Sequence, residues 1–395
     1  MMRQQAGHGL LPQSNHDELA RQDFVFGLKS FVANELAPGC RTIYEERVKP
    51  PFETKSGRAP NRHEIRRLMG EVPHYQVVSA MKRIIQEFTW DTVGESIERQ
   101  LPTLIDKARR VRERPSKRGT LRLDPDLAAP RYLDAVDIHA MPGGYHTEIV
   151  EDDVYAGALY DRGVYLFILG ALGVHNEDYG DSLISFLRNN FTDLRPRRIL
   201  DIGCTVGAST LPFARAFPEA DVHAIDVAAP PLRYGHARAE LLGTAIHFSQ
   251  QNAEHTDFDD QSFDLIVSHG MAHETSNRAL RNIYAECFRL LRPGGLMVLG
   301  EARQYTDIDP YDASLHDWAT HYNAEPFMGK MHDTDLVQLA VDAGFRREDS
   351  FPQVSVETAL DMDGEGGAQK FQEFVHSGAW FFSGATKRSL RATGS

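Results

Sequence analysis

The strongest constraint on the fold is an alternation of short apolar segments and helical segments that begins after Pro196. The apolar segments cover residues 199–202, 222–226, 245–249, 263–268, 296–300 and 379–385, and helical periodicity is found over residues 209–217, 232–242, 278–291 and 333–344. Strands and helices that alternate at this length indicate a parallel sheet covered on both faces. Because crossovers between parallel strands are right-handed, we predict an open, doubly wound α/β sheet.

The first third of the chain has a helical pattern instead. Asp17 is the expected N-cap of the first helix. Apolar side chains then recur at helical spacing in two stripes, which predict helix faces buried in a core: Ala20, Phe24, Leu28 and Phe31 in the first, and Val77, Val78, Met81, Ile84, Ile85 and Phe88 in the second.

These patterns divide the chain into four parts. We expect a flexible tail over residues 1–16 and a helical domain over residues 17–150, which includes a linker over residues 115–142. An α/β domain follows over residues 151–388, its first helix capped by Asp152 or Asp153 and running to Leu172, and a second tail covers residues 389–395. The helical domain would act as a lid and specificity wall for a substrate or would form a homodimer.

Composition limits the function classes. Hydrophobic residues make up 42% and charged residues 25%, as in folded globular proteins. The net charge is −13, divided into +6 over residues 1–120 and −19 over the remainder, which disfavours nucleic-acid partners. The basic run at residues 107–118 lacks interleaved aromatics and is typical of a solvated helix end. No apolar run is long enough to cross a membrane, and three widely spaced cysteines predict free thiols in the cytoplasm.

Polar and glycine residues follow the predicted strands in a regular order. Asp201 ends the first strand and is followed by a loop containing Gly203 and Gly207, which allow a tight turn close to a ligand. The residues at the ends of the later strands are Asp226, Asn252 with Ala253, Ser268 with His269, and Glu301. Ligands of open α/β sheets bind at this edge, and an acidic residue at the position of Asp226 accepts ribose hydroxyls.

Over residues 198–301 the chain resembles the class I S-adenosylmethionine-dependent methyltransferases of the small-molecule type. The matching segments are ILDIGCTVG (199–207), AIDV (224–227), QQNAE (250–254), SFDLIVS (262–268) and LLRPGG (290–295). The resemblance implies a mostly parallel, seven-stranded Rossmann-like sheet preceded by the all-helical domain. It also implies S-adenosyl-L-methionine as the cofactor.

The resemblance assigns roles around this cofactor. Asp201 and Gly203 would line its methionyl end, Asp226 would hold the ribose, Val227 would pack on the adenine, and Asn252 and Ala253 would contact the polar edge of the base. The predicted cofactor site also includes Cys204, Gly207, Ser268 and Tyr160. Thr205 stands where the family usually has glycine, and Asn252 stands where it more often has aspartate. Thr205 also breaks the G-x-G-x-x-G pattern of dinucleotide-binding folds.

The acceptor is expected to be a small molecule with an oxygen or nitrogen nucleophile, for example a compound of specialised metabolism, since the Pro-Pro-aromatic motif of nucleic-acid amino-methylating relatives is missing after Ser268. His273 is the predicted general base, His269 is expected to touch the cofactor, and His321 is the second candidate for the base. Alignment of the reactants without a base is the alternative for the mechanism. For the function, two alternatives stay open: a non-methylating reaction of the cofactor, such as cyclisation or rearrangement, and a non-catalytic cofactor-binding protein.

Overall fold

The computed structural model describes residues 5–306, 308–358 and 379–388, and its centre is an eight-stranded sheet of order β1-β4-β3-β2-β5-β6-β8-β7. The strands are β1 (Thr120–Arg122), β2 (Arg198–Ile202), β3 (Asp221–Asp226), β4 (His247–Gln250), β5 (Phe263–His269), β6 (Leu291–Glu301), β7 (Ser350–Glu357) and β8 (Ala379–Thr386). The first six pair in parallel, and β8 lies antiparallel between β6 and β7. The predicted doubly wound, mostly parallel Rossmann-like sheet is confirmed.

Helices cover both faces of the sheet and form the N-terminal region. They are α1 (His16–Phe31), α2 (Ala37–Ile43), α3 (Lys49–Ser56), α4 (Arg62–Met69), α5 (Pro73–Glu98), α6 (Leu101–Arg112), α7 (Arg131–Asp134), α8 (Tyr155–Phe167), α9 (Asp178–Asn190), α10 (Thr210–Ala216), α11 (Ala229–Leu241), α12 (Asn277–Leu290), α13 (Pro310–Tyr322), α14 (Met328–His332) and α15 (Leu336–Asp342). No helix within the described ranges has the length and apolar character needed to cross a membrane.

The resemblance implies seven strands, and the described residues form eight. Residues of the predicted linker form β1, which pairs in parallel with β4 at the edge of the sheet. Gly119 precedes this strand, and a Cβ at that position would lie 2.0 Å from the carbonyl oxygen of Ile246. The close backbone approach explains how such a short segment joins the sheet. The sequence has no apolar pattern that predicts this strand.

The N-terminal helices and the sheet share one core. Trp90 on α5, Ala158 on α8 and Tyr234 on α11 belong to a single buried apolar cluster, which also includes Val206 of the loop after β2. The helical region is therefore packed directly against the element that follows the first central strand, and it holds that loop in place.

Part of the segment predicted to be a flexible tail is packed in this core. Leu10 is fully buried, and Gln5 and His8 form hydrogen bonds of 3.1 Å and 2.8 Å with the carboxylate of Asp161 on α8. Arg238 and His8 outweigh the effect of burial and lower the pKa of Asp161 to about 2. The rest of the predicted N-terminal tail, residues 1–4, and the predicted tail at residues 389–395 lie outside the described residues.

Two predicted helix boundaries are wrong. Asn15, not Asp17, caps α1, because its side chain accepts hydrogen bonds from the backbone N–H groups of Asp17 and Glu18. The helix expected to reach Leu172 ends at Phe167, since Leu169 and Gly170 have positive φ angles of 56° and 74°. At its start, Asp153 accepts a hydrogen bond from the backbone N–H of Tyr155, as expected of a capping carboxylate.

The predicted buried stripes on α1 and α5 are partly wrong as well. Val25, Val78 and Ile85 are buried, whereas five large apolar side chains are 45–63% exposed: Phe24, Phe31, Val77, Ile84 and Phe88. Both helices carry apolar residues on adjacent faces, so periodicity alone did not reveal which face packs. We call these five side chains the α1–α5 apolar surface. An ion pair of 2.6 Å between Arg21 of α1 and Glu95 of α5 connects the two helices that carry these side chains.

Candidate active site

A cavity lies at the carboxyl ends of β2, β3, β4 and β5, where the sheet order reverses between β2 and β5. Its walls come from strand ends, from the turn after β5 and from the segment before α8. The lining residues are Tyr132, Leu133, Tyr145, His146, Tyr160, Gly203, Thr205, Ile225, Asp226, Val227, Ala228, Gln251, Asn252, Ala253, His269, Gly270, Met271, Glu274, Thr275 and Ile283.

The loop after β2 turns tightly beneath this cavity. Gly203 and Gly207 have φ angles of 71° and 70°, which glycine adopts without strain. Thr205 also has a positive φ, 46°, although it carries a branched side chain. Although threonine replaces the usual glycine at position 205, the backbone there keeps the conformation that glycine favours.

Asp226 stands at the end of β3 and lines the cavity. Its carboxylate accepts hydrogen bonds from the backbone N–H of Thr205, at 2.9 Å, and from that of Ala228, at 3.0 Å. Burial raises the pKa of Asp226 to about 6, although these N–H groups favour the charged form. A carboxylate in this position can accept the hydroxyls of a ribose placed over the loop.

The predicted adenine contacts lie together on the next part of the wall. Val227, Asn252 and Ala253 all line the cavity. The side-chain oxygen of Asn252 accepts a hydrogen bond from the backbone N–H of Glu254 at 2.9 Å. This bond orients the amide, and a carbonyl oxygen has a second lone pair for a further donor.

Four of the predicted cofactor residues lie behind the lining instead of on it. The carboxylate of Asp201 accepts a hydrogen bond from Thr210, and burial raises its pKa to about 7. Ser268 donates to the carbonyl oxygen of Ile202 at 2.9 Å. Cys204 is buried, and a Cβ at Gly207 would lie 2.8 Å from the ring of Phe248. These residues support the loop, and their contact with a cofactor stays a prediction.

His269 lines the cavity with no partner for either ring nitrogen among the described residues. Its ring packs against Tyr179, Phe213 and Phe382. Burial lowers the pKa of His269 to about 3, so the ring is neutral near pH 7. Buried nitrogens without partners are costly, and a polar ligand in the cavity would satisfy them.

The roof of the cavity comes largely from residues 132–146, which begin in the predicted linker and extend past its end at residue 142. Tyr132, Tyr145 and His146 lie there, and Tyr160 of α8, which was predicted, lies beside Tyr145 with ring centroids 6.0 Å apart. The sequence MPGGY at residues 141–145 is typical of a turn, but it does not show that the chain returns over the sheet.

A polar cluster adjoins the cavity at the turn after β5. The Nδ1 atom of His273 lies 2.8 Å from the carboxylate of Glu301, and the Nε2 atom of His139 lies 3.0 Å from that of Glu274. Glu325, only 2% exposed, lies 3.4 Å from Nδ1 of His139 and 3.8 Å from Nε2 of His273. Tyr145 donates to Glu274 at 2.8 Å, which connects the cluster to the roof of the cavity. The sequence placed Glu301 at a strand end but did not identify His139 or Glu325.

The carboxylates dominate the electrostatics of this cluster. Burial alone would lower the pKa of His273, but Glu301, Glu274 and Glu325 together raise it to about 9. The pKa of His139 is raised by Glu325 and Glu274 against the same effect of burial. Burial would raise the pKa of Glu274, but His139 and His273 lower it.

The other predicted catalytic histidine lies outside this arrangement. His321 lies on α13 with much of its side chain exposed, and its ring neighbours Tyr322. Partial burial of the ring and the positive charge of Arg66 lower the pKa of His321. Arg162 of α8 is buried and donates to Gln22 at 2.7 Å, and it is absent from the lining of the cavity.

The lining suits S-adenosylmethionine in its chemistry. A buried carboxylate, an oriented amide, aromatic rings and a neutral histidine without partners surround the space. The cavity encloses about 90 Å³, below the roughly 300–1,000 Å³ typical of ligand pockets. Side chains must therefore move when a ligand enters. Met271 is placed for this, because a Cβ at Gly203 would lie 2.6 Å from its side chain.

Comparison with known proteins agrees with the site. Residues 199–295 match the model of a methyltransferase domain. A ubiquinone/menaquinone biosynthesis C-methyltransferase of Dinoroseobacter shibae is 29% identical over 230 residues, which are 55% of this chain and 88% of that protein. A fatty-acid O-methyltransferase of Mycolicibacterium smegmatis is 27% identical over 156 residues, 38% of this chain, and the match spans about half (56%) of that relative.

Similar solved structures have low sequence identity. Geranyl diphosphate C-methyltransferase from Streptomyces coelicolor is 16% identical, with 52% of this chain and 76% of that chain covered and a TM-score of 0.39. The matched domain, the ordered motifs and the sequence relatives agree with one another. The chain carries a methyltransferase domain over residues 199–295 and is similar to the class I S-adenosylmethionine-dependent methyltransferases, and S-adenosylmethionine is its cofactor.

Proposed function

We propose that this enzyme methylates an oxygen or nitrogen atom of a small-molecule acceptor. The observation that carries the proposal is the polar cluster beside the cofactor cavity, which joins His139 and His273 to three carboxylates. A hydroxyl or protonated amine must lose a proton as it is methylated, and such a cluster is suited to receive one. A carbon nucleophile would be served less directly by these groups.

The relatives support a small acceptor. Their names refer to a fatty acid, to ubiquinone/menaquinone biosynthesis, and to phthiotriol/phenolphthiotriol dimycocerosates. The basic run at residues 107–118 gives little support for nucleic acid, since Arg109 and Arg112 are paired with Asp152 at 3.0 Å and 2.8 Å. We therefore retain a small molecule, and not a nucleic acid, as the proposed partner.

When bound, S-adenosylmethionine supplies a methyl group attached to a positively charged sulfur. The protein's own residues have to orient the acceptor and receive its proton. Glu301 fixes the ring of His273 through Nδ1, so Nε2 is the atom available to the acceptor. Because the pKa of His273 is raised to about 9, this nitrogen must be freed of its own proton before it can act as the predicted base. His269 would contact the donor, and the exposed His321 has no proposed part in this step.

The three cysteines are free and buried, which supports our proposal that the enzyme works in a reducing compartment, the cytoplasm.

The function is tested by incubating the full chain with S-adenosylmethionine labelled in its methyl group and a panel of hydroxylated, carboxylated and amino small molecules. We expect a product whose mass rises by one labelled methyl group on oxygen or nitrogen. Label on carbon would overturn the choice of nucleophile. Breakdown of the cofactor without label in any product would favour cyclisation or rearrangement, and binding with neither outcome would leave a non-catalytic protein.

A further inference from the structure

Three side-chain atoms in the polar cluster point at one position. They are Nδ1 of His139, Nε2 of His273 and Oε1 of Glu325, and all three lie within 4.8 Å of one another. The oxygen is 3.4 Å from the first nitrogen and 3.8 Å from the second. Nitrogen and oxygen ligands of a transition metal lie about 2.0–2.2 Å from it, so two of them are separated by roughly 3–4 Å. The observed separations from Glu325 are within that range.

The other nitrogen of each histidine fixes its tautomer. Nε2 of His139 is bound to Glu274, and Nδ1 of His273 is bound to Glu301. When each of these nitrogens carries the only proton of its ring, the remaining nitrogen has a lone pair for a metal ion, and an ion that binds there replaces the second proton of His273. A carboxylate behind a histidine is the usual outer support of a metal-binding imidazole. Here both rings have one.

Glu325 supplies a buried oxygen without a hydrogen-bond partner. Its Oε2 atom accepts from the side chain of Asn323 at 2.8 Å, whereas Oε1 has no hydrogen bond among the described residues. The residue is only 2% exposed, so water does not readily replace the missing partner. A proton can bridge two of the three converging atoms, but a metal ion can bind all three.

The protein also holds His139 in an unusual backbone conformation. Its φ angle is 57°, and its carbonyl oxygen accepts hydrogen bonds of 2.8 Å from both Gln86 and Trp90 of α5. The N-terminal helices therefore fix the residue that brings its imidazole to the cluster. The side-chain amide of Asn323 forms a hydrogen bond of 3.3 Å with Nδ1 of His139 and one of 2.8 Å with Glu325, and a metal ion would displace the first of these bonds.

We propose that His139, His273 and Glu325 bind one divalent first-row transition metal ion, and that an oxygen or nitrogen of the acceptor binds at its open positions. Two histidines and one carboxylate on one side of an ion leave several positions free for another ligand. This inference rests on the proposed function for the identity of that ligand. With the metal bound, Nε2 of His273 is a ligand and is no longer available as the base; the ion would lower the pKa of the bound acceptor, whose proton would pass to water.

Cobalt(II) is a suitable probe, because its visible absorption reports nitrogen and oxygen ligation directly. The full-length chain, freed of metal by dialysis against a chelator, is titrated with cobalt chloride and followed by absorption and calorimetry. We expect one equivalent to bind. Glu325→Gln, which keeps the shape of the side chain, and His273→Asn should each weaken binding by about 100-fold or more, whereas Glu274→Gln should weaken it by about 10–100-fold.

His321→Asn is the matched control, since it removes an imidazole outside the cluster and should bind cobalt(II) as the unchanged protein does. Thermal unfolding verifies that each variant is folded. If a variant does not fold, displacement of cobalt(II) from the unchanged protein by one equivalent of zinc(II) still tests the site. The inference is overturned if the unchanged protein binds no cobalt(II), or if Glu325→Gln binds it equally well.

The outcomes separate this inference from the proposed function. Cobalt(II) binding requires neither donor nor acceptor. A chain that binds the metal but transfers no methyl group retains the metal site and loses the proposed function. A chain that methylates an acceptor with full activity after metal removal, and binds no cobalt(II), retains the function and loses the metal site.

Discussion

The carboxylate of Asp226 shows how a single buried group can give the enzyme a pH dependence. Burial raises its pKa to about 6, and the ionised form is the better acceptor for the hydroxyls of a ribose. The group is protonated below its pKa and charged above it. We therefore expect the affinity for S-adenosylmethionine to be full above pH 7 and to fall by about tenfold for each pH unit below 6.

Replacing Asp226 by Asn tests this directly. Loss of the charge should weaken cofactor binding by about 10–100-fold at pH 8 and remove most of its pH dependence, because two hydrogen bonds to a charged acceptor are weakened. Calorimetric titration with S-adenosylhomocysteine at several pH values provides the measurement. Asp221→Asn, at the exposed start of the same strand, should bind normally, and wild-type affinity in Asp226→Asn would contradict the assignment.

The backbone conformation of Thr205 leads to a second prediction for a single residue. Its φ of 46° is costly for a side chain with a Cβ, whereas glycine adopts it freely. Thr205→Gly should raise the free energy of unfolding by about 0.5–1 kcal/mol, measured by urea denaturation. Thr192→Gly, at an exposed position without a positive φ, should give no such gain, and a loss of stability in Thr205→Gly would show that the side chain contributes more than the strain costs.

Among the elements, the central strands were the most predictable. Strands β2, β3 and β5 begin and end within a residue of their predicted bounds, because each is an apolar run closed by a glycine or a polar residue. Strand β7 was missed, since its residues are only half-buried and include Pro352. Strand β1 was missed because its pairing depends on Gly119 and not on its own sequence.

The role of Gly119 gives a prediction for that edge strand. A Cβ there would lie 2.0 Å from a backbone oxygen that cannot move without disturbing β4. Gly119→Ala should therefore lower the free energy of unfolding by about 1–3 kcal/mol and increase proteolytic cleavage near β1. Gly7→Ala, where no atom lies within 4 Å, should change stability by less than about 0.5 kcal/mol. Equal behaviour of the two variants would show that β1 adjusts without cost.

At the scale of the whole molecule, the α1–α5 apolar surface is the main departure from expectation. Its residues were predicted to lie in a core and are instead on the outside of the N-terminal helices. Apolar patches of this kind often mark contacts between proteins. This surface favours a homodimer through these helices, which is the alternative to a lid in the sequence analysis.

We expect the chain to sediment at twice its mass of 44.4 kDa. A variant carrying Ile84→Glu and Phe88→Glu should sediment as a monomer without loss of fold, because both side chains are already exposed. Ile149→Glu changes an exposed apolar residue outside this surface and should remain dimeric. A monomeric unchanged protein, or a dimeric double variant, would exclude the surface as the interface.

The motifs of the cofactor site could be read from the sequence because they lie within about a hundred consecutive residues. The polar cluster could not be read from the sequence, because its residues come from distant parts of the chain. His139 precedes α8, His273 follows β5 and Glu325 follows α13. Only the packing of the N-terminal helices against the sheet brings them together, and no local pattern encodes that packing.

The roof described above has a further consequence for turnover. The same stretch of chain supplies Tyr132 and Tyr145 to the lining of the cavity and, six residues before Tyr145, His139 to the polar cluster. We therefore expect the entry and departure of ligands at both places to depend on movement of residues 131–146. Where such a movement is slower than the chemical step, it sets the number of catalytic cycles per second.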